Sequence, residues 1–197
     1  MKKIQKTKSG RGWLGEDWRQ AVHVLFGACV MLSVVLAGKG FTVLALLALL
    51  CISVLAVTWG MCGLRNPLFD FLMERFERSV EFPGKGALLY MVGALFLLTF
   101  ASSTGFALAG IGILAFGDGV STMAGVRGRH RLWWNAKKSF EGLLAFVLAG
   151  AVVAVPVIGW GGAVYAVFLG FVETLPTGLD DNLSIPVAAV LLNVVVK

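Results

Sequence analysis

The sequence predicts an all-α protein, a polytopic bundle of about seven transmembrane helices with a cytoplasmic N-terminus and one amphipathic helix in the membrane interface. Three observations carry that prediction. The first is composition. Of 197 residues, 58% are hydrophobic and only 14% charged, with a mean hydropathy of +0.85, whereas a soluble domain is about 25% charged. The second is the recurrence of apolar runs, at 22–38, 41–59, 86–101, 105–126, 142–158, 161–175 and 183–196. A crossing helix needs about 20 residues, within a range of about 17–25, so the last run is short. The third is charge placement. With the N-terminus inside, Lys2, Lys3, Lys6, Lys8, Arg11 and Arg19, then Arg65, Arg75, Arg78 and Lys85, then Arg127, Arg129, Arg131, Lys137 and Lys138 share the cytoplasmic side, and only Lys39 and Lys197 do not. A fourth run that failed to cross would divide them about ten against seven, which the positive-inside rule disfavours.

Taken in order, residues 1–20 form a basic cytoplasmic segment that opens a single membrane domain spanning 1–197. Segment 66–82, "NPLFDFLMERFERSVEF", offers Asn66 as a cap and Pro67 at the first helical position. Its Phe69, Leu72, Met73, Phe76 and Val80 lie on one face, the pattern of a helix lying in the interface. In the fourth run, Gly105, Gly112 and Gly119 recur every seven residues, as do Gly110 and Gly117, and such small faces let helices approach closely in lipid. The three cysteines, Cys29, Cys51 and Cys62, form no CxxC pair and no Cys/His cluster, and read as small apolar fillers. "LFGAC" before Cys29 follows too short an apolar core to read as a cleaved signal peptide. The net charge of +6 does not imply nucleic acid, because the basic residues sit in loops between apolar runs.

All eleven acidic residues also fall on the cytoplasmic side. Topology alone does not require that, and it marks a polar working face. Asp118 lies near the cytoplasmic end of the fourth run, with Ser121, Thr122 and Gly125 on its face at i+3, i+4 and i+7. An ionisable group in or beside a span is a functional candidate by default, with a salt bridge to Arg127 or Arg129 as the plain alternative. "NAKKSFEG" places Lys137 and Lys138 before a helix that Ser139 is suited to cap, and a helix N-terminus beside lysines attracts anions. It is not a Walker A loop, since Lys137 stands where the glycine before Lys138 belongs. In "FVETLPTGLDDNLSIP", Glu173 ends a span and Asp180, Asp181 and Asn182 precede the last helix. One cap needs one residue, and here stand three. Carboxylates for a divalent cation, Lys and Arg for phosphates, and glycine-rich backbone make up the inventory of phosphoryl transfer. Magnesium accepts one or two carboxylates plus substrate phosphates. No GxSxG elbow is present, and the only histidines are His23 and His130.

These pieces resemble the family of dolichol kinase, phytol kinase and CTP-dependent diacylglycerol kinase. They are "RQAVHVLFG" (Arg19, His23, Gly27), "FGDGVSTMAG" (Gly117, Asp118, Gly125), "KKSFEG" (Lys138, Ser139, Glu141, Gly142) and "VETLP…DDNLSIP" (Glu173, Pro176, Asp180, Asp181, Asn182, Pro186). They stand in the family's order and span 19–186, and the length resembles compact prokaryotic members. The resemblance implies transfer of the terminal phosphate of CTP, with Mg2+ or another divalent cation, to a hydroxyl of a membrane lipid alcohol. That alcohol is a polyprenol or dolichol, a phytol-like isoprenoid or a diacylglycerol. It implies metal held by Asp118 with Glu173 and Asp181, and triphosphate held by Lys138, Arg127 and Arg129, with Gly117 and Gly119 permitting close approach. Gly125, Ser139, Glu141 and Asn182 join the nucleotide site. His23 stands near the nucleotide or the acceptor hydroxyl, with Arg19 steadying phosphate, and one acid of the Asp180–Asp181 pair takes the hydroxyl proton. The expected setting is a prokaryotic cell membrane with the site facing the cytoplasm. The alternatives are a lipid cytidylyltransferase, whose dense Lys/Asp/His-Gly-Gly signature is missing, and a transporter, which would want midplane charges and an inverted repeat.

Overall fold

The computed structural model describes residues 13–62 and 84–195. The residues before 13 and the interfacial helix expected over 66–82 lie outside that description. Every described element is helical apart from one isolated bridge between Arg131 and Ser139. The helices are α1 (Trp13–Met61), α2 (Lys85–Phe100), α3 (Thr104–Arg127), α4 (Phe140–Ile158), α5 (Gly161–Thr174) and α6 (Asp181–Val195).

α1 is two helices joined at Gly38, whose φ of 86° and ψ of 160° are backbone values that a side chain disfavours. Ser33 Oγ lies 2.9 Å from Thr42 Oγ1, and Thr42 in turn donates to the Gly38 carbonyl at 3.0 Å. In an unbroken helix, nine residues would separate those hydroxyls by about 13 Å. The chain therefore folds back at Gly38, between the two apolar runs read at 22–38 and 41–59. The other helix boundaries fall within about two residues of the remaining runs.

α1, α3 and α4 are long and apolar enough to cross a membrane, and α2 and α5 are shorter apolar helices. One end of the bundle collects the start and finish of α1, the starts of α2, α4 and α6, the last turns of α3 and the end of α5, because residues from all of them line one cavity. That is the arrangement produced when successive helical segments alternate in direction, counting α1 as two.

α3 is the central helix. Two thirds of its most apolar stretch is buried, against about a fifth for α4. Ile111, Ile113 and Leu114 of α3 are fully enclosed by Leu97, Leu98, Phe146, Leu169 and Ile185. The glycine repeat is what admits the neighbours. A Cβ at Gly110 would stand 2.8 Å from Leu97, one at Gly119 would stand 2.7 Å from Val24, and one at Gly112 would collide with Val153. In lipid the solvent is as apolar as the side chains, so such van der Waals contact is what holds helices together. Gly27 and Gly93 are equally tight, against Ala115 and the Asn182 carbonyl.

Candidate functional site

The site begins with a local irregularity in α3. Residues Ile113–Gly117 form a π-turn, a form that is rare and frequent at functional sites. The Asp118 N–H bonds to the carbonyls of Ile113 and Ala115, so the Leu114 carbonyl loses its usual α-helical donor. His23 Nε2 supplies the replacement at 3.3 Å. A carbonyl only accepts, so Nε2 carries the proton in that contact. The same nitrogen lies 3.7 Å from Asp118 Oδ2. The π-turn thus ties α1 to α3 at the point where Asp118 enters the core.

Asp118 is 9% exposed and Glu173 3%. Oxygens of Asp118, Glu173 and Asp181 lie within 4.8 Å of one another. Lys138 closes the group, its ammonium donating to Glu173 Oε1 and to Asp181 Oδ2 at 2.8 Å. Burial works against the Lys138 charge, but the facing carboxylates of Glu173 and Asp181 outweigh it and raise its pKa above the ordinary lysine value. Ser121 donates to Glu173 Oε1 at 3.3 Å and to the Asp118 carbonyl at 3.0 Å. Three helices and a loop, separated by up to 63 residues of chain, converge here. Three carboxylates face one ammonium, so negative charge is in excess.

That donor set fits a hard divalent cation. All three groups are carboxylates, hard oxygen donors of the kind that bind magnesium.

Lys138 is positioned by its loop. Residues 128–139 are pinned by the Leu132 N–H to Lys138 carbonyl bond at 3.1 Å and the Phe140 N–H to His130 carbonyl bond at 2.9 Å. Asn135 Nδ2 donates to the Thr174 carbonyl at 3.0 Å and Trp134 Nε1 to Thr174 Oγ1 at 3.2 Å, which fastens the loop beside Glu173. Ser139 caps α4, accepting from the Gly142 N–H at 3.1 Å, as the sequence predicts. Asp180 caps α6, accepting from the Asn182 N–H at 3.1 Å. The acidic pair therefore divides its duties, since Asp180 holds the helix and Asp181 reaches Lys138.

The cluster forms one end of a cavity of about 1110 Å³. Arg19, His23, Gly125, Ser139, Asp180 and Asn182 also line it, so most of the residues singled out in the sequence meet there. Five are placed differently. Gly117 faces Phe146 and Gly119 faces Val24, so these two glycines serve helix packing rather than approach to a ligand. Glu141 turns into the loop, accepting from the Arg129 N–H at 2.9 Å and pairing with His130 Nδ1 at 2.8 Å. A carboxylate at the first turn of α4 is well placed to bind backbone N–H groups, which explains that choice. The Arg127 guanidinium donates to the Met123 carbonyl at 2.9 Å. Arg129 holds that loop through its backbone N–H, which donates to Glu141.

Tyr90 of α2 escaped the sequence reading. It is buried, its ring stands edge-on to His23 with centroids 4.3 Å apart, and it lines the cavity. The available signal was that the chain has only two tyrosines, both inside apolar helices, where a phenol is retained for a specific contact.

Comparison with known proteins bears on this geometry. No family model matches the chain, and no solved structure does. An uncharacterized protein of Methanocaldococcus jannaschii is 27% identical over 176 residues, 87% of this chain and 88% of that one. The phytol kinase of Synechocystis is 34% identical over 99 residues, 44% of this chain and 42% of that protein. A probable chloroplastic phytol kinase of Glycine max is 28% identical over 131 residues, 57% of this chain and 41% of that protein. The chain thus spans about two fifths of the length of the phytol kinases it matches. It is a membrane protein that, over part of its length, is a distant relative of proteins named phytol kinases.

Proposed function

We propose that this protein is a membrane-embedded kinase that moves the terminal phosphate of a nucleoside triphosphate, CTP in our reading, to the hydroxyl of a lipid alcohol. One observation carries the reading: three convergent carboxylates, two of them bridged by a lysine, line a cavity together with a set of apolar side chains. A volume of about 1110 Å³ exceeds the roughly 300–1,000 Å³ of a pocket for one small ligand, leaving room for a nucleotide beside a lipid headgroup. The relatives named phytol kinase support an isoprenoid alcohol as the acceptor class.

In this mechanism Asp118, Glu173 and Asp181 hold magnesium, which when bound neutralises charge on the phosphates. Lys138 and Arg19 line the path of the triphosphate. The lipid oxygen attacks the γ-phosphorus, the bond from that phosphorus to the bridging oxygen breaks, and CDP leaves. Asp181 is engaged by Lys138, which leaves the Asp180 oxygen not used in capping α6 to take the hydroxyl proton. Phosphoryl transfer asks little covalent chemistry of the protein, so positioning by the α3 π-turn and the 128–139 loop does most of the work. CTP labelled at the γ-phosphate is expected to put label into the lipid phase in the presence of magnesium, and EDTA is expected to stop it. Lipid-bound label from α-labelled CTP would overturn the kinase reading in favour of cytidylyl transfer.

We further propose that the chain crosses the membrane seven times, in a prokaryotic cell membrane, with the site facing the cytoplasm. α4 is 19 residues long, about 28 Å, close to the roughly 30 Å hydrocarbon core. The exposed Trp133 and Trp160 lie beyond its two ends, where tryptophans favour membrane interfaces. A cysteine at Gly161, a position with open space for a side chain, is expected to react with an impermeant reagent from outside, and one at Thr177 only from inside. Labelling of both from one side would sink this topology.

A further inference from the structure

The cavity does not end at the charged cluster. Leu49, Ser53, Ala56 and Val57 of the returning arm of α1 line it together with Asp118, Lys138, Glu173 and Asp181. Their spacing of four, seven and eight residues places them on one stripe of a helix. The stripe covers about 12 Å along the axis, with Val57 nearest the charged end and Leu49 nearest the Gly38 turn. Facing walls come from Val22 and Phe26 of the first arm and Leu88 and Met91 of α2. Leu49 is 39% exposed and Ala56 is exposed, so the groove opens sideways, toward the bilayer. One end offers carboxylates and an ammonium, and the other is hydrocarbon apart from the Ser53 hydroxyl and the Tyr90 phenol. That polarity matches an amphiphile lying with its head at Lys138 and its tail along α1.

We propose that this groove binds the hydrocarbon chain of the acceptor along the stripe from Leu49 to Val57. The proposal rests on the kinase reading of the same cavity and adds which part of the acceptor the protein recognises. The groove's 12 Å is less than half of the roughly 30 Å hydrocarbon core. Turnover should therefore depend on the chain near the hydroxyl and be indifferent to length beyond the Leu49 level.

The test substitutes Ser53→Trp, at the middle of the stripe, with Ala56→Phe as a second variant in case the first does not insert. Losing the burial of a few methylenes is expected to raise the KM for a long-chain isoprenoid alcohol at least about tenfold. Turnover of a short, water-soluble isoprenoid alcohol and the affinity for CTP should stay unchanged. In parallel, a photoreactive long-chain alcohol is expected to crosslink to residues 39–62 of the wild type and much less to either variant, a readout independent of turnover. Unchanged KM in both variants with γ-phosphate transfer intact would overturn the groove. Absence of transfer to every alcohol would instead remove the kinase reading, and the crosslink would then decide the groove by itself.

Discussion

Asp118→Asn is expected to lose phosphate transfer by at least about 10²-fold, the scale for removing one preorganised charge-stabilising group, while the protein melts no lower than the wild type. The two halves of that result have one cause. Asp118 is nearly enclosed, and its oxygen shares a 4.8 Å neighbourhood with those of Glu173 and Asp181. Without a metal, a third negative charge in that space is repelled by the other two and stripped of water, both unfavourable. Asparagine has the same shape and relieves both, so stability should hold or rise. With a metal and phosphates present, the same charge is needed, and its loss removes an anionic ligand. Activity and melting temperature should therefore move apart. A carboxylate serving only the fold would show the reverse, with turnover near normal and a lowered melting temperature, and that outcome would remove Asp118 from the proposed metal site.

Lys138→Met should abolish transfer and also destabilise the protein, by about 3 kcal/mol, the low end of the range for breaking a buried ion pair from one side. The low end applies because the Lys138 side chain keeps 27% exposure. The cost arises from Glu173, left buried beside Asp181 with its cationic partner gone. Two consequences follow that simple loss of packing would not produce. Lys138→Met/Glu173→Gln should regain much of the lost stability, because the buried Glu173 charge goes with its partner and only the more exposed Asp181 keeps a lost contact, yet stay inactive. Magnesium should raise the melting temperature of Lys138→Met more than that of the wild type, since a cation that binds only the native state stabilises it and here replaces the missing ammonium. If the double variant is no more stable than the single one, the ion pair is incidental and the electrostatic account of the cluster fails.

Much of the architecture was legible before folding. The bilayer imposes a length on apolar runs and a side on basic ones, and both are properties of contiguous sequence. For that reason the helix boundaries, the break at Gly38, the Ser139 cap and the shared face of Asp118, Ser121, Thr122 and Gly125 could all be read from the chain. The glycine repeat of α3 likewise announced close helix contacts, and Gly105, Gly110 and Gly112 make them.

What only the tertiary structure decided is how each group spends its interaction capacity, because that depends on neighbours supplied by distant segments. Asp180 and Asp181 are adjacent and chemically identical, yet α6 needs one cap, so one oxygen of Asp180 takes the Asn182 N–H and Asp181 is released to Lys138, 43 residues away. Glu141 reads as a site acid until the folded loop offers it two backbone N–H groups and the His130 ring. Gly117 and Gly119 flank Asp118 in sequence, but a helix turns about 100° per residue, so they face Phe146 and Val24 rather than the cavity. The π-turn, the Tyr90–His23 contact and the stripe from Leu49 to Val57 left no mark in local pattern. Each is apolar or irregular in a way that any buried helix allows, and acquires meaning only when α1, α2 and α3 are brought together.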